Sequence, residues 1–127
     1  EYVLALASVL IVDDDDDLRN SLKSLLERAG YDVSTAVNGN EAVRIFRSEP
    51  TALIITDIIM PEKEGLETII ELRQEYPEVK IIAISGGGRI GAKGYLQLAQ
   101  ALGANATLTK PFTRTELLES IKEISAQ

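Results

Sequence analysis

Ser8-Val9-Leu10-Ile11-Val12 runs without a break into Asp13-Asp14-Asp15-Asp16-Asp17. A short, β-branched apolar run that stops this abruptly reads as a buried strand, with five carboxylates at its carboxyl end. The apolar character extends back to Tyr2, which raises the question of a targeting segment. Tyr2–Val12 lacks a basic leader and falls well short of the ~20 residues a membrane helix needs, so a strand is expected.

The same unit then repeats along the chain. Further short apolar runs are Tyr31–Ala36, Ala52–Thr56, Val79–Ile84 and Ala106–Thr109. Between them the apolar spacing is helical. Leu18, Leu22, Leu25, Leu26 and Ala29 form one stripe, which Gly30 closes. Asn38 opens a second helix carrying Ala42, Val43, Ile45 and Phe46, with Pro50 beyond its end. Leu66, Ile69 and Ile70 mark a third, ending near Tyr76-Pro77. Tyr95, Leu96, Leu98, Ala99 and Leu102 mark a fourth, stopped by Gly103. Thr113-x-x-Glu116 is a capping box that opens a fifth, with Leu117, Leu118, Ile121 and Ile124 turned inward.

This is (βα)5, an α/β fold with a doubly wound, five-stranded parallel sheet. The first, third and fourth strands read as unbroken apolar runs, which fits helices on both faces. The second alternates and is expected at an edge. Right-handed crossovers favour strand order 2-1-3-4-5. Ligand chemistry in such sheets lies beyond the carboxyl ends of the strands, at the switch point between the first and third.

Composition narrows the chemistry. One domain, residues 1–127, is expected, and its 45% hydrophobic content is enough for a core without staples. The absence of Cys and His removes disulfides, thiolate or imidazole metal sites, and any phosphohistidine within the chain. The net charge of −7 argues against bulk nucleic-acid binding. Residues 1–78 hold 17 acids and seven bases, whereas residues 79–115 hold five bases and no acid. An acidic, cation-holding site beside a neutral-to-basic surface is the expectation.

Four strand ends carry polar groups: Asp13-Asp14, Asp57, Ser85 and Lys110. Clustered carboxylates repel unless a cation neutralises them, and oxygen ligands suit Mg²⁺ or Mn²⁺. A carboxylate can attack phosphorus, with a metal and a lysine stabilising the transferred group. Each residue has a plainer explanation taken singly. Asp15, Asp16 and Asp17 fit a helix cap and first turn. A lone Asp, a Ser before glycines or a Lys-Pro fits an ordinary turn. Their coincidence on one edge is harder to explain that way.

The motifs Val9-Leu10-Ile11-Val12-Asp13-Asp14, Leu53-Ile54-Ile55-Thr56-Asp57-Ile58-Ile59-Met60-Pro61 with Gly65, Ile82-Ala83-Ile84-Ser85-Gly86 and Leu108-Thr109-Lys110-Pro111-Phe112 resemble the receiver domain of two-component response regulators, the CheY-like, flavodoxin-like superfamily. The resemblance covers essentially the whole chain. It implies Asp57 as phosphoacceptor. Mg²⁺, or Mn²⁺ in its place, would be held by Asp13, Asp14, Asp57 and the backbone carbonyl of Ile59. Ser85 would be the switch hydroxyl, Lys110 the phosphate-pairing lysine, and Lys110-Pro111 a cis bond. It further implies a cytoplasmic signalling domain rather than an enzyme. Such a domain would take phosphate from a sensor histidine kinase or histidine phosphotransfer protein and switch the surface formed by its fourth strand, fourth helix and fifth strand toward a downstream effector, with a homodimer as a further arrangement open to it. Nucleic acid and membrane are not implied partners.

The chain departs from the family in places. Thr107 stands where an aromatic is usual three residues before the lysine. Ile59 and Gly87 occupy positions that govern water access in the family. The loop Gly86–Gly94 is long and contains Gly86-x-Gly88-x-x-Gly91. A dinucleotide reading of it fails, because that motif belongs in the first βα turn with an acid about 20 residues on. A stand-alone aspartyl-phosphate phosphatase would carry a second acid where Ile59 sits. A flavodoxin-type cofactor binder would have to seat a phosphate against five aspartates. A receiver fold that docks partners without phosphorylation would not need Asp13, Asp14, Asp57 and Lys110 all intact.

Overall fold

The computed structural model describes residues 8–58, 65–86 and 92–126. Ten elements alternate: β1 Ser8–Val12, α1 Asp16–Arg28, β2 Asp32–Ala36, α2 Gly39–Ser48, β3 Leu53–Asp57, α3 Gly65–Glu75, β4 Lys80–Gly86, α4 Ala92–Leu102, β5 Ala106–Lys110 and α5 Arg114–Ser125. All strand pairs are parallel, in the order β2-β1-β3-β4-β5. The doubly wound sheet expected from the sequence is therefore present, with β2 at an edge.

Alternation along each strand feeds two cores. Val9, Ile11, Ile55, Ile82 and Ile84 face Leu22 and Leu26 of α1 and Leu117, Ile121 and Ile124 of α5. Leu10, Val12, Ile54, Ile81 and Ala83 face the other way, against Phe46 of α2, Ile69 and Leu72 of α3 and Ala99 of α4. Because helices cover both faces, strand residues of either parity are apolar. Phe46 and Tyr76 meet edge to face with ring centroids 4.7 Å apart, closing the α2 side.

Helix ends follow their signals. Asn38 caps α2 by accepting from the Glu41 amide at 2.8 Å, and Thr113 and Glu116 form the reciprocal capping box of α5. Gly30 and Gly103 adopt positive φ after α1 and α4, each supplying the left-handed residue that a Schellman close requires.

Two expected core residues are corrected. Ile70 is 37% and Leu98 46% exposed. On α3 the inward face is Gly65, Leu66, Thr68, Ile69 and Leu72, about one residue's rotation from the Leu66-Ile69-Ile70 stripe. Small Gly65 and Thr68 let the helix lie close to the sheet, which turns Ile70 outward. On α4, Ala99 is buried and its neighbour Leu98 is not; Tyr95 and Leu96 lie outside the residues whose side chains are described. The stretch before Ser8 and the loop residues 87–91 are likewise outside the described residues.

Candidate functional site

At the end of β1 the chain must turn from the sheet into α1, and the five aspartates divide that work. Asp15 is the N-cap of α1, accepting from the Leu18 amide at 3.2 Å, and Asp16 and Asp17 occupy the first turn. Asp13 and Asp14 are left to the sheet edge. Asp13 is held on several sides. Its amide donates to the Ala36 carbonyl at 3.1 Å. Its Oδ1 accepts from the Asp15 amide at 2.8 Å, and its carbonyl accepts from Arg19 Nη1 at 2.9 Å. The Asp13 side chain is buried while Asp14 is exposed.

Asp57 is the last residue of β3 and is also buried. The Thr56 hydroxyl, itself fully buried, donates to the Asp57 carbonyl at 2.9 Å. The Gly65 amide donates to the Ile58 carbonyl at 3.2 Å. A Cβ at Gly65 would stand 2.0 Å from the Asp57 carbonyl oxygen, so only glycine lets α3 approach here.

Lys110 ends β5 and reaches across the sheet edge. Its Nζ donates to Asp57 Oδ2 at 3.0 Å and to Asp13 Oδ2 at 3.3 Å. The Lys110–Pro111 peptide is cis, as expected. One carboxylate oxygen each from Asp13, Asp14 and Asp57 lies within 4.8 Å of the others. Ser85, on β4 between the strands that carry Asp57 and Lys110, is buried; its hydroxyl lies 3.4 Å from the Gly86 carbonyl, a long contact. Ile59, whose carbonyl was expected to complete the metal shell, lies outside the described residues.

The electrostatics of this corner are unbalanced. Burial pushes the Asp13 carboxyl above its usual range and the Asp57 charge adds to this, although the Asp15 amide and Lys110 oppose it. Burial by itself would lower the Lys110 pKa, but its hydrogen bond to Asp57 and the charges of Asp57 and Asp13 outweigh that and raise it. Three carboxylates face one ammonium, which leaves about two negative charges in a partly buried space. A divalent cation is the natural complement, and all-oxygen donors with room for water suit Mg²⁺ or Mn²⁺. The residues fit the ion.

Sequence reasoning did not single out Arg19 or the Thr56 hydroxyl. Both act on main-chain carbonyls, which leave no pattern in a sequence. Thr56 is nonetheless the one hydroxyl in the Leu53-Ile54-Ile55-Thr56 run, and Arg19 the first base in the chain.

The family model for the response regulator receiver domain matches residues 9–122. The chain belongs to this family. Among curated relatives, this receiver is 35% identical over 118 residues to the chemotaxis protein CheY of Thermotoga maritima, covering 92% of this chain and 96% of that protein. It is 34% identical over 116 residues to the alkaline phosphatase synthesis transcriptional regulatory protein PhoP of Bacillus subtilis, covering 91% of this chain and 47% of that protein. The receiver thus spans about half the length of several transcriptional regulators that it matches. Among solved structures, a putative response regulator from Chloroflexus aurantiacus superposes with a TM-score of 0.87 at 31% identity, covering 96% of this chain and 99% of that one. A receiver is a signalling domain, not a classical enzyme. Among the described residues no helix is long and apolar enough to cross a membrane.

Proposed function

We propose that Asp57 accepts a phosphoryl group from a phosphohistidine on a sensor histidine kinase or histidine phosphotransfer protein. A cation held by Asp13, Asp14 and Asp57, with the Ile59 carbonyl, would assist. The observation that carries this reading is Lys110 Nζ lying 3.0 Å from Asp57 Oδ2 and 3.3 Å from Asp13 Oδ2. An ammonium so placed can follow negative charge from the carboxylate onto an arriving phosphoryl group.

In the transfer, a carboxylate oxygen of Asp57 attacks phosphorus. An O–P bond forms as the P–N bond to the donor imidazole breaks, and the imidazole leaves with the electron pair. Mg²⁺ or Mn²⁺, when held by Asp13, Asp14 and Asp57, would supply charge neutralisation for the phosphoryl oxygens. Lys110 holds the reacting carboxylate in place beforehand and pairs with the phosphoryl group afterwards. The combined charge of Asp13, Asp14 and Asp57 favours a divalent ion over a monovalent one.

The product adds roughly −1.5 to −2 charge at the end of β3. The Ser85 hydroxyl, whose contact to the Gly86 carbonyl is long, turns to donate to it. That movement on β4 shifts the β4–α4 and α4–β5 surface, which a downstream effector reads. With Thr107 at the aromatic position, the switch works through the hydroxyl and the backbone of β4 rather than through a swinging ring. The domain acts in the cytoplasm.

Incubation with acetyl phosphate and Mg²⁺ followed by intact mass tests the transfer. One added phosphoryl group is expected, absent in Asp57→Asn and absent without metal. No gain in the unaltered chain, or an equal gain in Asp57→Asn, contradicts the proposal. Amide shifts with a beryllofluoride mimic test the switch: changes should extend along β4, α4 and β5, and changes confined to residues touching Asp57 would rule it out.

A further inference from the structure

Phosphotransfer as described above gives no role to Arg19, the cation built into the acidic turn. Arg19 lies on the first turn of α1, and its guanidinium reaches back under residues 13–16. Nη1 donates to the Asp13 carbonyl at 2.9 Å, and Nη2 pairs with Asp16 Oδ1 at 2.5 Å. The Arg19 side chain is only 13% exposed, while that of Asp16 is 78% exposed. The ion pair to Asp16 sits in water and contributes little. The charge-assisted bond to the Asp13 carbonyl is the sheltered, stronger arm.

That carbonyl belongs to the peptide plane joining Asp13 to Asp14. Peptide planarity means that fixing the oxygen also fixes the nitrogen and Cα of residue 14. The next peptide is held by the Asp15 amide's bond to Asp13 Oδ1 at 2.8 Å, so the Cα–Cβ direction of Asp14 is set between two restrained planes. Asp13 has other restraints, through the Ala36 carbonyl, the Asp15 amide and Lys110. Asp14 is exposed and depends on its backbone for its aim.

We infer that Arg19 is a positioning residue for the metal pair: by holding the Asp13 carbonyl it points Asp14 at the space shared with Asp13 and Asp57. The inference rests on the reading of those three carboxylates as a divalent-cation site. It carries a sign that charge alone does not. A guanidinium beside carboxylates repels an arriving cation, so simple electrostatics has Mg²⁺ bind more tightly once Arg19 is neutralised. Loss of positioning makes it bind more weakly, by roughly 10-fold, as is usual for residues that orient metal ligands.

Calorimetric titration with Mg²⁺ separates the two, using the full chain, Arg19→Gln, Arg19→Lys and Asp16→Asn, each also melted in EDTA. Arg19→Gln should bind about 10-fold more weakly, and Arg19→Lys, which keeps the charge and one donor, should recover part of the loss. Asp16→Asn should stay within about threefold of the unaltered chain. Equal or tighter binding by Arg19→Gln overturns the positioning role. If Arg19→Gln does not fold in EDTA, Arg19→Lys takes its place: weaker binding supports the role and unchanged binding overturns it. Absence of saturable Mg²⁺ binding by the unaltered chain would instead refute the cation site itself, and the role of Arg19 with it.

Discussion

Arg73 and Lys110 are partly buried cations at opposite ends of the sheet, and their surroundings differ. At the amino end Arg73, from the last turn of α3, donates to the Pro77 carbonyl at 2.7 Å, the Gly103 carbonyl at 2.9 Å and Asn105 Oδ1 at 3.0 Å. The same Asn105 oxygen accepts from the Ile81 amide at 2.8 Å, so α3, β4 and the turn after α4 are tied together. These acceptors are neutral, and burial lowers the Arg73 pKa with only the Glu78 charge opposing it. At the carboxyl end Lys110 meets two carboxylates, with a third beside them, and its pKa is raised. One network is closed upon itself. The other retains excess negative charge, at a cost in stability that a structural role alone would not explain.

Substitutions can break that contrast from either side. The largest effect should come from Gly65→Ala, because its methyl group would meet the Asp57 carbonyl oxygen at 2.0 Å and Ile58 Cα at 2.5 Å. Backbone must move, costing at least about 3 kcal/mol in denaturant unfolding and displacing Asp57, so phosphorylation by acetyl phosphate should fall with it. Arg73→Ala should cost about 1–2 kcal/mol, since it removes three charge-assisted hydrogen bonds, two of them partly buried, yet leave Mg²⁺ affinity unchanged. A change in metal affinity there would show the two ends to be coupled.

Asp13→Asn should act in the opposite direction. The folded-state pKa of Asp13 lies above its unfolded value, so its ionised form weakens the fold at neutral pH, and that cost is relieved as pH falls through the folded pKa toward 3.8. In EDTA at pH 7, Asp13→Asn should therefore raise stability by on the order of 1 kcal/mol while abolishing the further gain on adding Mg²⁺. The smallest effect is expected for Leu98→Gln, within about 0.5 kcal/mol, because that side chain faces solvent.

Much of this contrast was legible before any coordinates. Five β-branched runs marked the sheet, and the four that end in Asp13, Asp57, Ser85 and Lys110 marked the edge where chemistry would gather, because a polar residue that terminates a buried strand stands out. The face of α3 was less legible. Ile69 and Ile70 are adjacent in sequence and about 100° apart on a helix, and periodicity could not tell that Gly65 and Thr68, not Ile70, would meet the sheet. Arg19 and Arg73 were not legible as structural groups, since both bond main-chain carbonyls brought near by folding. The division of the acidic turn was legible too: Asp15, Asp16 and Asp17 were expected at the helix start, and they cap α1 and fill its first turn, leaving Asp13 and Asp14 to the sheet edge.

Whether the carboxyl end is a single divalent-cation site is tested most directly by titrating the ¹⁵N-labelled chain with Mg²⁺ and following every backbone amide. One saturable transition centred on Asp13, Asp14, Asp57 and Lys110 is the expected result. Shifts that fail to saturate, or that spread over surface acids such as Asp17 and Glu71 while Asp57 stays still, would contradict it.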